Sequence, residues 1–492
     1  MDELIRPSNA TLGQMPEGVL VPQYDRAGLT HGIVHIGLGN FHRAHQAWYL
    51  HRLMQAGKAQ DWGIVGAGVR PFDSAMREKL AAQDYVYTLI ELDPEGTSAE
   101  VVGSLIDYAP IEPGNGPLIA RMADPATRIV SMTVTEAGYF LNSATKRFDP
   151  EHPDIVHDTE NPGQPRTLFG AMVEALRLRR ERGLTPFTGQ SCDNLAGNGR
   201  LLKEVVLSLA RLTDPGLADW IEEHGSFPNA MVDCIVPATG PREIALARDF
   251  GIDDAAPVTH ERFRQWVLED DFCAGRPPWE EVGATFTNRV HDYETMKLRI
   301  LNGGHQMVAV PGEILGIRTI ADSMAHPLIH AFFRRVALEE VAPNIRPVPD
   351  MTPQAYVDLI DARFSNQMVV DTVRRVAMDG SAKLAGQVFL PLSDGLAAGT
   401  PVEGLALAQA LWSRMCAGTR EDGSTIEPND PRWAELQAAS QAARARPRAW
   451  LEQPRLYGEL ADQPRFADAF ERWLPLVWAE GSEAALERYL AA

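Results

Sequence analysis

From about residue 32, apolar runs of strand length alternate with windows of helical periodicity. GIVHIG is followed by a helical window over 43–56, WGIVGAG by one over 73–83, and YVYTLIEL comes next. Such alternation predicts βαβ units and a mainly parallel sheet. AEVVGSLIDY, RIVSMTVTE and PFTGQSC extend the set of strands, with amphipathic helices expected over 167–182 and 201–212. Beyond about residue 286 the strand signals thin out. Windows at 295–310, 327–341, 353–378, 403–417 and 432–445 carry helical spacing instead.

The expected architecture is α/β over 1–285 and mostly α-helical over 286–492, divided after the loop-like GRPPWEEVG. A chain of 492 residues is long enough for two or three folding units. Hydrophobic residues at 45% and charged residues at 23% fit a soluble globular protein. The net charge of −20 disfavours nucleic acid and anionic membranes as partners. The densest basic runs, 177–182 and 444–448, read as solvated helix faces or ends.

Four cysteines, Cys192, Cys234, Cys273 and Cys416, are scattered without a C-x-x-C pair, so neither a metal site nor a disulfide framework is expected. His42 and His45 have H-x-x-H spacing, but without a third ligand they read as packing or capping residues. The N-terminus has no apolar signal core, and no run of about 18 apolar residues occurs. A cytoplasmic protein with no membrane span is expected.

GIVHIGLGNFHRA reads as a strand, a glycine turn and a helix start. Gly37 permits the tight turn, Gly39 removes a side chain where a pyrophosphate must approach, and the helix start offers N–H groups to an anion. These features predict that 1–285 is a Rossmann-like dinucleotide-binding domain, with a chance glycine turn as the alternative reading of this segment. The third glycine of the usual fingerprint is replaced by His42, so Ala44 must supply the close helix packing. Candidate cofactor contacts are Gly37, Gly39, Asn40, Phe41 and Arg43, together with Arg70 and Glu136. Arg70 stands where a ribose-binding carboxylate is common, with Asp73 nearby, which leaves NADP open beside NAD. Glu136 ends the strand RIVSMTVT and is either near the cofactor or a turn residue.

The segment 294–305 holds Glu294, Lys297, Asn302 and His305. On an α-helix these four polar groups fall within an arc of roughly 140°. Burying such a face is costly unless each group finds a partner. The glycine pair 303–304 is unfavourable inside a helix and suggests close approach by something else, a ligand being one reason.

The K-x-x-x-x-N-x-x-H spacing at Lys297, Asn302 and His305 resembles the signature of the polyol-specific long-chain dehydrogenases and reductases. GLGNFHRAHQ, TVTEAGY, SCDNLAGNG, FPNAMVD, RFSN and DGSAK look like further landmarks of that family in the same order, so the likeness spans essentially the whole chain. It is closest to the mannitol-oxidising members, which implies reversible, metal-independent oxidation of D-mannitol at C2 to D-fructose with NAD. The resemblance makes Lys297 the general base and Asn302 and Asn194 the donors to the developing oxyanion. It makes His305, Arg375 and Lys383 the holders of the other hydroxyls, and Glu294 a gate for proton exchange with water. Asp233 is a substrate-side contact or a buried structural acid.

That chemistry suits these residue types. A carbinol loses hydride readily only while its hydroxyl proton is being removed. A lysine can take that proton where burial disfavours its charged form, and carboxamides stabilise an alkoxide without titrating. Competing expectations are oxidation of D-arabinitol or sorbitol, reduction of fructuronate or tagaturonate, and a dinucleotide-binding protein without turnover.

Overall fold

The computed structural model describes residues 4–142 and 147–492. The side chains of Glu136 and Ala137 lie outside the described set, and with them the cofactor-side expectation for the Glu136 carboxylate. The strands are β1 (His31–Ile36), β2 (Gly63–Ala67), β3 (Tyr87–Asp93), β4 (Gly96–Val102), β5 (Leu105–Tyr108), β6 (Ile129–Met132), β7 (Thr188–Ser191), β8 (Ala230–Asp233), β9 (Val258–Glu261), β10 (Gln265–Leu268) and β11 (Thr285–Phe286). The chain divides into two compact units, Met1–His291 and Asp292–Ala492.

In the first unit β5, β2, β1, β6 and β7 form one parallel sheet in that order. Alternate side chains leave a strand on opposite faces. Val34 and Ile36 therefore enter one core with Leu168, Met172 and Leu202, while Ile33 enters another with Leu50, Leu53 and Trp266. Apolar residues on both faces are what a parallel sheet covered twice requires. The strand order reverses at β1, so the connections that follow β1 and β6 leave toward opposite faces of the sheet, and the crevice where such sheets bind ligands lies at the carboxyl ends of this pair.

YVYTLIEL does not join this sheet. It becomes β3, in an antiparallel hairpin with β4 and a parallel pair with β9. AEVVGSLIDY is correspondingly two strands. Its first half pairs with β3 and its second half becomes β5 of the parallel sheet. The break falls at Gly103, packed against Pro22 and Arg26, and Ser104, whose hydroxyl donates to the buried carbonyl of Ala47 (2.6 Å). A third sheet joins β8, β10 and β11. The run 177–182 is likewise not wholly solvated: Arg179 is buried and donates to the carbonyls of Thr185 (2.7 Å), Met122 (3.1 Å) and Asp124 (2.7 Å).

The second unit is helical and built around Gly303–Ile314, every residue of which is buried. Around it pack Ile320–Ala325, Pro327–Arg335, Val373–Ala377 and Glu403–Met415. Glu340 is buried and caps the last of these, accepting the N–H groups of Gly404 (2.6 Å) and Leu405 (2.9 Å). The single helix expected over 353–378 is interrupted. Pro353–Phe364 ends, and Val373–Ala377 restarts with Thr372 as its cap. No helix among the described residues is long and apolar enough to cross a membrane.

Candidate functional site

The dinucleotide turn sits at the carboxyl end of β1. Gly37 has φ +87°, and a Cβ there would collide with the Thr133 carbonyl. Only glycine takes that conformation without strain. Gly39 has nothing nearer to a would-be Cβ than the Gly37 carbonyl at 3.9 Å, so the space that a side chain would fill is open, as close approach of a pyrophosphate needs. Asn40 opens a short helix and donates to the carbonyl of Pro237 (3.0 Å) and the hydroxyl of Thr239 (2.9 Å). Phe41 stacks on His45, centroids 4.9 Å apart.

Arg43 departs from its expected role. Its guanidinium is fully buried and donates to the Ala256 carbonyl, to Asn40 Oδ1 (2.7 Å) and to the Gly39 carbonyl. It therefore braces the turn from behind. His42 and His45 are packing residues: His42 stacks on His35, with centroids 3.4 Å apart. His35 in turn lies between Ser131 Oγ (2.8 Å) and Thr133 Oγ1 (3.1 Å). Burial lowers its pKa to about 3, so it is neutral under ordinary conditions.

At the end of β2, Arg70 is exposed. Asp73 uses one carboxylate oxygen to accept the N–H groups of Val69 and Arg70, both at 3.1 Å. Asn194 is exposed in the turn after β7, and Asp233 is buried in β8 opposite Gln265.

In the second unit the helix Val290–Met296 carries Glu294 and passes into a π-helical segment, Lys297–Asn302, then into Gly303–Ile314. Glu294, Lys297 and His305 are all buried, Lys297 with 7% exposure. On an α-helix Lys297 and Asn302 would be roughly 140° apart. A π turn links residues five apart, so it brings this pair onto one turn. Asn302 has a buried carboxamide oxygen without a hydrogen-bond partner among the described residues. An atom so placed fits a ligand hydroxyl, because leaving it unpaired is costly. The His305 ring stacks on Phe364, centroids 4.1 Å apart and 16° from coplanar.

The glycine pair answers to protein neighbours, not to a ligand. A Cβ at Gly303 would stand 2.6 Å from the Gln387 carbonyl, and one at Gly304 2.6 Å from the Phe333 ring. Gln306 ties the same helix to the Val376 carbonyl (3.4 Å) and to Gln387 Oε1 (3.1 Å). Lys383 also donates to the Val376 carbonyl (3.3 Å), and its ammonium is lowered in pKa chiefly by burial. Arg375 is 65% exposed but held in a bidentate pair by buried Asp371, at 2.6 and 2.5 Å.

Phe364 and Asp193 escape a sequence reading because their partners are distant along the chain, whereas Asp371, four residues before Arg375, carries a local acid–base spacing that could have found it. The nearest signals are the RFSN landmark that contains Phe364 and the SCDN landmark that contains Asp193. All four cysteines are free thiols, and no group of three or more His, Cys, Asp or Glu among the described residues is placed to hold a metal ion.

The family profile described as the mannitol dehydrogenase Rossmann domain matches residues 31–281, and that of the mannitol dehydrogenase C-terminal domain matches 289–478. A mannitol 2-dehydrogenase of Cereibacter sphaeroides is 52% identical over 478 residues, covering 97% of this chain and all of the relative. One from Phaeosphaeria nodorum is 40% identical, covering 99% of this chain and 86% of the relative. Among solved structures, Pseudomonas fluorescens mannitol 2-dehydrogenase in a ternary complex with NAD and D-mannitol superposes with a TM-score of 0.89 at 38% identity, covering 99% of this chain and 100% of that one. A substrate-free D-sorbitol dehydrogenase superposes at 0.88 with 34% identity, covering 98% and 100%. With both units matched and full-length relatives this similar, the chain belongs to the mannitol dehydrogenase family.

Proposed function

We propose that this protein is an NAD-dependent polyol dehydrogenase that oxidises D-mannitol at C2 to D-fructose and catalyses the reverse reduction, without a metal ion. The observation that carries the reading is the buried Lys297, one π turn from Asn302, whose buried carboxamide oxygen has no hydrogen-bond partner among the described residues. The 52% identical relative named mannitol 2-dehydrogenase and the complex of a 38% identical one with NAD and D-mannitol support the choice of cofactor and substrate.

Gly37, Gly39, Asn40 and Phe41 form the cofactor cradle, with Arg70 at the end of β2 and Arg43 bracing from behind. NAD, when bound, supplies the hydride acceptor. Lys297 Nζ takes the hydroxyl proton as the carbinol carbon gives up hydride, leaving a ketone, and Glu294 passes that proton on to water. The Asn302 and Asn194 carboxamides donate to the oxygen while it is negative. His305, held flat by Phe364, binds a neighbouring hydroxyl together with Arg375 and Lys383, and Asp233 is a further substrate-side residue.

The D-sorbitol dehydrogenase likeness makes sorbitol, the C2 epimer that gives the same ketose, the second reading. Initial rates with D-mannitol, sorbitol, D-arabinitol and the fructose and fructuronate reductions, each with NAD(H) and NADP(H), decide between them. The highest kcat/KM is expected for D-mannitol with NAD, unchanged by EDTA. Turnover of fructuronate far above that of fructose, or loss of activity with EDTA, would defeat the proposal.

A further inference from the structure

Thr135 follows β6 with φ 65° and ψ 168°, a region that is essentially glycine's, and a β-branched side chain makes the conformation harder still. A residue stays there only when its surroundings impose it. The imposing group is Asp193, 6% exposed, in the turn after β7. One of its carboxylate oxygens accepts the N–H groups of Val134 (2.9 Å) and Thr135 (2.8 Å). The other accepts the Tyr139 hydroxyl (2.8 Å). Charge-assisted bonds of this kind are the strong ones.

The strained loop is fastened to the dinucleotide turn as well. Thr133 donates its N–H to the Ile36 carbonyl (3.0 Å) and its hydroxyl to the Gly37 carbonyl (2.7 Å). Asp193 also fixes the start of its own turn, where its backbone carbonyl accepts the Leu195 N–H (2.9 Å) and the Asn198 amide (3.0 Å), both just beyond Asn194.

We infer that Asp193 is a positioning residue for dinucleotide binding: its carboxylate holds the strained Thr135 loop of β6 against the glycine turn of β1. The inference rests on the NAD reading above. An acid with a merely structural role would lower Tm on removal but leave the NADH affinity of the folded protein alone.

NADH binding, followed by fluorescence titration, separates the two. Asp193→Ala is expected to raise Kd about tenfold or more, the scale set by releasing one strained residue. Asp193→Asn keeps an oxygen for both N–H groups and stays within about threefold of the parent. Adding Thr135→Gly to D193A restores most of the affinity, because glycine adopts the loop conformation unaided. Unaltered affinity in D193A, or no recovery in the double variant, would overturn the inference. A parent chain that does not bind NADH would instead bring down the NAD reading, and this inference with it. If D193A does not fold, Asp193→Glu decides: the longer side chain moves the carboxylate off the Thr135 loop while keeping its charge, so NADH Kd is expected to rise about threefold or more, and parent-like affinity rejects the inference.

Discussion

At the level of single residues, Lys297 is the group whose loss should be felt in turnover alone. Positioned general bases contribute about 10² to 10⁴ in rate. Lys297→Ala should therefore lower kcat for mannitol oxidation by about 10³-fold, while NADH titrates as in the parent, since the glycine turn belongs to the other unit. Activity within tenfold of the parent would take lysine out of the chemistry. The Lys297, Asn302 and His305 spacing is visible in the sequence because all three lie within nine residues of one another. Distant supports are not: Phe364 under His305 and Asp193 under the loop of β6 become neighbours only on folding, whereas Asp371 stands four residues before Arg375, a spacing the sequence does show. Arg43 belongs to the nucleotide motif in the sequence, and in the fold its donors go to the Ala256 and Gly39 carbonyls and to Asn40 Oδ1.

At the level of elements, three π-helical segments, Lys297–Asn302, Val336–Val341 and Ala385–Phe389, occur in the second unit, and the first packs against the other two. Helical periodicity shows that a helix is present but not where its hydrogen-bond pattern widens, so 295–310 and 327–341 read as plain helices. The interruption between Phe364 and Val373 is hidden for a similar reason: Asn366 and Thr372 bond to nearby N–H groups, a local alternative to the helix that spacing does not register. The close contact at the glycine pair gives a test. Gly303→Ala meets a backbone carbonyl and Gly304→Ala a phenyl ring that can turn aside. G303A should lose about 1–3 kcal/mol in urea unfolding and G304A less, because overpacking is opposed by better helix propensity. An equal or reversed order would mean that Gln387 yields more readily than Phe333.

For the molecule as a whole, buried histidines set the response to acid. His35 and His260 are each lowered to about 3, and His42 well below its usual range, burial being the largest cause in every case. The unfolded chain binds these protons near 6.5, so the stability they confer is full above that pH and drains away as pH falls toward 3. One unit below 6.5, each costs about 1.4 kcal/mol. Asp193 and Glu340, raised by burial, pull the other way as they approach protonation. Tm should fall between pH 7.5 and 5.5, and a flat or rising profile would show that these rings do not stay neutral in the fold. The parallel sheet was legible because its strands are short apolar runs between helices. The excursion through β3 and β4 was not, since a strand's sequence does not name the sheet it joins.

The central strand β1 lies between β2 and β6, pairing Ile33 with both Ile64 and Ile129, and β7 completes the sheet only at Ser191. During vectorial synthesis β1 must therefore wait, uncovered on one edge, until β6, whose last residue Met132 comes 96 residues after Ile36, has left the ribosome. Nascent chains stalled before β6 would expose an unpaired apolar edge, making them natural clients for holdase chaperones.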